Sequence, residues 1–416
     1  MAAPGEEIEC DMDPFKKQYK KYKRRKPPPD LSEVIDFDHP DRFPDQISKF
    51  PLSSSDHFKR EEQVLRRFGL TPVDKWKVYS LKKSPGLIYI VNPFLPGYQR
   101  YWVKRCLQDF PRVPNLRNMD LYMELDDSDD IWESRLRNVE PSSDSSTKEN
   151  LLSKLRWVTL GYHYNWSKKE YFGDRKKSEL PTDVGLLTQC MASIIGFPQY
   201  IAQAGIVNYY NMSSTLGGHV DEAEFDMTAP LISFSFGQTA LYLLGGKTRS
   251  VKPDAMFLKS GDIMLMSGDS RWAYHSVPRI LPPRKNNPVP ESFNTTLKSD
   301  GLTDELLKPD VEDSSAEEAT EVNNDHSAED PHLDFSDKKD CSHGTSENIV
   351  DKINIRTSAY DLNDTKNLSD VFDQFQADME HLTHEENWKP FAEYLPGARI
   401  NFNVRQVMEA GKSFTS

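Results

Sequence analysis

From about residue 204 the chain alternates apolar and polar positions with a period of two. Gly205-Ile206-Val207-Asn208-Tyr209-Tyr210 is one such run, and Leu231-Ile232-Ser233-Phe234-Ser235-Phe236 is another. In the second, Ile232, Phe234 and Phe236 fall on one face, which predicts a strand with those three side chains inward. Residues 240–244 pair with it, Gly245-Gly246 supplies a turn, and 256–258, 262–266 and 272–277 continue the series. A final strand spans 398–407. Short strands at regular spacing with glycine turns predict an antiparallel sandwich or barrel. Earlier in the chain, 76–81 and 87–91 read as strands. Residues 92–97 read as a turn feeding a helix through Tyr101, Trp102 and Leu107, and 183–195 has helical spacing.

Other stretches carry a different pattern. Asp13-Pro14 reads as an N-cap with proline at the first helical position, and the helix runs to the stop at Pro27-Pro28-Pro29. Phe15, Tyr19 and Tyr22 form one stripe on it, and its other faces are basic. The aromatics dock such a helix, the basic face suits phosphates, and one helix can do both. Residues 27–70 are polar and proline-punctuated and read mostly as loop, and 126–150 as an acidic, serine-rich surface connection. Residues 282–386, rich in Pro, Asn, Ser, Asp and Glu, read as a long disordered acidic insertion with a short helix at 371–379. The expected fold is α+β with a mainly-β core and N-terminal helices. It divides into an extension (1–70), a helical supporting segment (71–200), a β core (201–281 with 387–410) and the insertion (282–386).

Composition modifies this picture at three points. The hydrophobic share of the 416 residues is 37%, low enough to require disordered segments, and no apolar run approaches the length of a membrane span. Cys10, Cys106, Cys190 and Cys341 are far apart in sequence, which argues against a disulfide framework and fits a reducing compartment. The net charge of −13 is local: residues 301–350 hold fifteen Asp and Glu against three Lys, so the rest is nearly neutral. Overall acidity therefore does not exclude a nucleic-acid partner.

The candidate chemistry gathers on the strands. In Thr215-Leu216-Gly217-Gly218-His219-Val220-Asp221, His219 and Asp221 are two apart, so on an extended strand they share a face. His275, in Ser270-Arg271-Trp272-Ala273-Tyr274-His275, is the best third ligand. Two histidines and one carboxylate with open positions opposite suit non-haem Fe(II) and oxygen chemistry. On the last strand Arg399, Asn401, Asn403 and Arg405 share one face while Ile400, Phe402 and Val404 take the other. Polar residues on an inward face are costly unless they meet an anion. One arginine can clamp a carboxylate of a dicarboxylate co-substrate, and Asn208 and Tyr210 can donate to its other end. Residues 155–166 are dense in aromatics, with Arg156, Lys168, Lys169, Arg175, Lys176 and Lys177 beside them. That pairing suits stacked bases and phosphates, but taken alone it reads first as a tyrosine-rich hairpin packing its own core.

Taken jointly, Asn208-Tyr209-Tyr210, His219-Val220-Asp221, His275 and Arg399-Ile400-Asn401-Phe402-Asn403-Val404-Arg405 resemble the AlkB family of Fe(II)/2-oxoglutarate dioxygenases. Residues 157–166, 231–246 and 261–264 are similar to its homologue 1 branch. The resemblance implies a double-stranded β-helix, or jelly roll. It implies Fe(II) on His219, Asp221 and His275, and 2-oxoglutarate on Arg399 with Asn208, Tyr210, Asn401 and Arg405 around it. It places Trp157 and Tyr162 in a nucleotide-recognition lid within 71–200. Glu222 and Glu224 fall where family members touch the target base, with no role carried to either.

The activity implied is oxidative demethylation of bases, with O₂ as co-substrate: N1-methyladenine in tRNA, oxidation of tRNA 5-methylcytosine, and N6-methyladenine in single-stranded or unpaired DNA. The implied setting is a monomer with no membrane partner, in nucleus and mitochondrion, although the start of the chain is too acidic for an ordinary mitochondrial presequence. The 124-residue span from His275 to Arg399 is longer than the family usually has. Two other readings use the same residues: a dioxygenase acting on a protein such as a methylated histone, and a nucleic-acid-binding sandwich without catalysis.

Overall fold

The computed structural model describes residues 13–53, 57–125, 130–137, 150–173, 177–295, 360, 362, 364–412 and 414. In chain order the helices are α1 (Pro14–Lys23), α2 (Lys59–Arg67), α3 (Gln99–Lys104), α4 (Ile131–Arg137), α5 (Thr182–Ile195), α6 (Thr365–Thr383) and α7 (Glu385–Tyr394). The first strands are β1 (Ile47–Lys49), β2 (Lys77–Leu81), β3 (Ser84–Val91), β4 (Leu116–Arg117), β5 (Trp157–Gly161), β6 (Tyr164–Asn165) and β7 (Glu170–Tyr171). Then come β8 (Ala204–Asn211), β9 (Leu216–His219), β10 (Leu231–Gly237), β11 (Ala240–Leu244), β12 (Asp254–Leu258), β13 (Ile263–Met266), β14 (His275–Ile280) and β15 (Ala398–Arg405). Among these residues no helix is long and apolar enough to cross a membrane.

Two antiparallel sheets form the core. The larger has the order β1-β2-β3-β13-β10-β15-β8-β5-β4, and the smaller β12-β11-β14-β9. Strands from the first 200 residues thus extend the same sheet as the expected β core. The period of two in β10 and β15 explains the layering. Ile232, Phe234 and Phe236 of β10 and Ile400, Phe402 and Val404 of β15 enter the large cluster shared with α5 and the C-terminal helices. The opposite face of the large sheet meets the small one, where Tyr89, Met264 and Met266 pack with Tyr242, Leu244, Leu258 and Val277. Burying each such side chain contributes roughly 1.5–3 kcal/mol.

Helix α1 docks as its stripe predicts. Asp13 caps it, accepting from Lys16 N at 2.7 Å, Phe15 and Tyr22 are buried, and Lys16, Lys20, Lys23, Arg24 and Arg25 lie on exposed positions.

Several expectations change, among them the surface connection at 126–150, where α4 buries Ile131 and Trp132, and the start of the insertion, where Phe293 is buried. The segment 27–70 is not only loop, because α2 lies within it and packs on α5. Only Val64 and Leu65 of its nine residues are buried, so its apolar signal is short. The strand expected at 272–277 begins at His275, after a tight 3₁₀ turn over Gly268–Trp272. The insertion does not continue to 386: α6 and α7 occupy its end, with Phe372, Phe375, Met379 and Leu382 in the main cluster. Asp364 caps α6, and Phe375 sits 4.4 Å from the Tyr101 ring. The apolar positions 368, 372, 375, 379 and 382 repeat at helical spacing, within a composition that otherwise reads as unstructured. The expectation of disorder for 296–359 lies outside the described residues.

Candidate active site

Between the sheets lies a cavity of about 640 Å³. At one side of it β9 and β14 run antiparallel with His219 and His275 directly opposite, ring centroids 4.2 Å apart. Asp221 follows β9 by two residues. Its Oδ1 is 3.8 Å from His219 Nε2 and its Oδ2 3.6 Å from His275 Nε2. One ligand atom from each of the three residues lies within 4.8 Å of the others, the one such grouping among the described residues. Each ring is oriented from behind. His219 Nδ1 is 3.0 Å from the Gly217 carbonyl and His275 Nδ1 3.1 Å from the Ala273 carbonyl. A carbonyl only accepts, so both Nδ1 atoms carry the proton and both Nε2 lone pairs are left for a metal.

Electrostatics favour the ligating forms. Burial alone would raise the Asp221 carboxyl, but Arg405, His275 and His219 outweigh it and hold the group well below the usual carboxylate range. Burial and the neighbouring His219 push His275 down to about 4, so its imidazole is neutral at pH 7. An ionised carboxylate and a neutral imidazole are the states that bind a divalent ion.

The other wall is the polar face of β15. Arg399 is 1% exposed and lines the cavity. Its Nη2 donates to Ser235 Oγ at 3.0 Å, while Nε and Nη1 have no protein partner. Burial draws this guanidinium down to about 10, so it stays charged at neutral pH. A buried cation with unmet donors beside a cavity fits a carboxylate ligand. Tyr210, whose hydroxyl burial raises to about 12, lies opposite Arg399, and Asn208 opposite Asn401. Asn401 Nδ2 donates to Ser233 Oγ at 2.8 Å, and Arg405 Nη2 to Asp221 Oδ2 at 3.0 Å. All eight residues expected to hold iron and co-substrate therefore line one cavity. Ser233 and Tyr242 join them unpredicted, and Ser235 stands behind Arg399 as its acceptor. The two serines are the polar positions of β10, and that alternation was the available signal.

The two lid residues are placed differently. Trp157 is half-buried at the start of β5, 5.4 Å from Trp166, and borders a shallow outer groove with Tyr122 and Arg156. Tyr162 packs in a small cluster with Tyr171, Ala204 and Val407, and like Trp157 it is not among the residues lining the cavity. The hairpin of β6 and β7 brings Tyr164, Trp166 and Lys169 to the rim instead, with Trp166 42% exposed. Arg249 also reaches the rim, held by Asp13 at 2.9 Å, so the cap of α1 is tied to the cavity mouth.

With this geometry in hand, comparison with known proteins is informative. Residues 101–325 match the model of the 2OG-Fe(II) oxygenase superfamily. Nucleic acid dioxygenase ALKBH1 of Mus musculus is 44% identical over 312 residues, covering 72% of this chain and 79% of the relative. The tRNA demethylase abh1 of Schizosaccharomyces pombe is 33% identical, covering 64% of this chain and 85% of the relative. The DNA N(6)-methyladenine demethylase ALKBH1A of Arabidopsis thaliana is 31% identical, covering 65% and 83%. The chain belongs to the 2OG-Fe(II) oxygenase superfamily, in its AlkB homologue 1 branch, and is a dioxygenase dependent on Fe(II) and 2-oxoglutarate.

Proposed function

We propose that this enzyme oxidatively demethylates bases in nucleic acids, with tRNA and unpaired DNA as substrates, on a double-stranded β-helix formed by the two sheets. The observation that carries the reading is the pairing, across one cavity, of the His219–Asp221–His275 cluster with the unmet donors of Arg399. Named activities of the relatives in mouse, fission yeast and Arabidopsis support the substrate class. Trp166 at the rim and the basic outer face of α1 support it independently, because exposed rings stack bases and exposed cations meet phosphates.

In this reading His219, Asp221 and His275 hold Fe(II), and their Nδ1 and Arg405 contacts keep the donor set oriented. Arg399 receives the far carboxylate of 2-oxoglutarate, with Asn208, Tyr210, Asn401 and Arg405 shaping the space around the co-substrate. With both bound, the centre would supply an oxidant from O₂ as 2-oxoglutarate is decarboxylated to succinate and CO₂; hydroxylation of the N-methyl carbon would leave a hemiaminal that releases formaldehyde. The apolar flank of Leu258, Met264 and Met266 keeps water from the reacting carbon. The target base leaves its stack to reach this depth, and Tyr164, Trp166 and Trp157 guide it.

The test is formaldehyde release, with mass spectrometry of nucleosides, from tRNA carrying N1-methyladenine and from DNA carrying N6-methyladenine. A methylated histone peptide is added as competitor. Wild type demethylates the nucleic acid, His219→Ala does not, and the peptide does not compete. Activity surviving in His219→Ala would remove the metal assignment.

A further inference from the structure

Glu224 lies in the turn that follows Asp221, and its side chain has no exposed surface. Both oxygens are occupied. Oε1 accepts from Tyr171 Oη at 2.7 Å and from Arg405 Nη1 at 3.2 Å. Oε2 accepts from Arg271 Nη2. Each guanidinium then reaches Asp221: Arg405 Nη2 donates to its Oδ2 at 3.0 Å, and Arg271 Nη1 to its main-chain carbonyl. Nε of both arginines is buried without a partner, so Glu224 and Asp221 are the acceptors that fix their aim.

At its other end the network meets the rim. Tyr171 belongs to β7, and the β6–β7 hairpin carries Tyr164, Trp166 and Lys169 to the cavity mouth. Each strand of this hairpin has two residues, and a ladder that short is not stable by itself. The ring of Tyr164 packs edge-on against Tyr171 at 5.4 Å, so anchoring Tyr171 also seats Tyr164. A continuous buried path therefore runs from hairpin to metal carboxylate.

We propose that Glu224 is a positioning residue that couples the seating of the aromatic hairpin to the geometry of the metal-binding carboxylate. Its enclosed oxygens leave nothing to offer a substrate base. The inference rests on the metal-site reading above. When the two arginines grip Asp221 in its ligating position, their remaining donors present the cradle that holds Glu224, and Glu224 holds Tyr171. A metal ion that fixes Asp221 then stabilises the hairpin, and by linkage a seated hairpin strengthens metal binding by the same factor.

The experiment uses the full chain and Mn(II), which binds without turning over. Metal affinity is read by calorimetry, and hairpin order by hydrogen exchange of the peptide spanning 164–171. In wild type, saturating Mn(II) slows that exchange at least about fivefold, the low end of ordinary coupling between sites. In Glu224→Gln and in Tyr171→Phe at saturating Mn(II) the slowing is lost. Tyr171→Phe removes one hydroxyl and no charge, so it decides the matter if Glu224→Gln fails to fold. Mn(II) binding to wild type with no change in hairpin exchange, or Tyr171→Phe retaining the full slowing, overturns the coupling. Failure of wild type to bind Mn(II) at all would instead overturn the metal site.

Discussion

Gly217 and Gly218 are neighbours on β9 just before His219, yet they should respond oppositely to alanine. Neither needs a left-handed backbone, so space alone decides. A Cβ on Gly217 meets nothing within 4 Å, whereas one on Gly218 falls 2.6 Å from Phe15 Cε1. Phe15 cannot retreat. Its opposite edge lies against Gly245, where a Cβ would be 2.9 Å from Cδ2, and the ring is 1% exposed and edge-on to Tyr274. The ring is wedged between the strand of His219 and the residue that follows β11, the partner strand of His275. Forcing a methyl into such a contact costs about 1–3 kcal/mol. Gly217→Ala should stay within ~0.5 kcal/mol of wild type. Urea unfolding gives both values, and Mn(II) calorimetry shows whether the displaced β9 weakens the metal site. The relief is specific: combining Phe15→Leu with Gly218→Ala should recover part of the loss, a coupling of about 0.5–3 kcal/mol in a double-mutant cycle. Equal stability of the two alanine variants, or strict additivity in the cycle, would refute the wedge.

Two further predictions use other buried groups. Arg399→Met should raise the KM for 2-oxoglutarate at least about a hundredfold by removing the buried carboxylate partner, and Arg399→Lys should recover only part, lacking the forked donors; an unchanged KM in a succinate assay would contradict the clamp. Asp262 is held by Tyr89 and by the backbone N–H groups of Asn92 and Lys259, yet burial raises its carboxyl to about 6. A raised carboxyl means the folded state binds the proton more tightly than the unfolded chain. This group's contribution is therefore full below about pH 3.8 and is lost as pH rises from there through about 6, ~3 kcal/mol in all and ~2 kcal/mol of it between pH 4.5 and 6.5. Urea unfolding at pH 4.5 and 6.5 should show that slope in wild type and not in Asp262→Asn.

Much of the fold was legible because its strands obey a strict period. In β15 the alternation assigns Ile400, Phe402 and Val404 to the helix-covered side and Arg399, Asn401 and Arg405 to the cavity, and the structure keeps that division. Where period and composition conflicted, composition misled. The α6 segment carries a helical stripe inside a stretch of Asp, Asn and Ser, and Phe375 ends 1% exposed against Phe68 and Tyr101. In α2 the opposite held: two buried residues are too few to announce a helix, and its stability comes from packing on α5.

The cavity-lining side chains were legible for the same reason, but the groups that aim them were not. A strand's period says which face a residue takes. It says nothing of a turn, and Glu224 and Arg271 lie in irregular backbone or a tight turn. Arg271 comes 50 residues after Asp221 and Arg405 184 after it, so only the closed fold brings one guanidinium to its main-chain carbonyl and the other to its carboxylate. Tyr162 and Tyr164 illustrate the limit: two tyrosines two residues apart share a face on an ideal strand, but β5 ends at Gly161 with φ +67° and the chain turns before β6. One ring then packs inward and the other reaches the rim. The site's charge balance follows from this division. Regular strands supply the histidines and Arg399, while the irregular segment after β9 supplies Glu224, the acid that Arg271 and Arg405 share. Were that acid absent, Arg271 and Arg405 would lose their shared acceptor, and correctly patterned strands would surround an Asp221 held by guanidiniums it no longer aims.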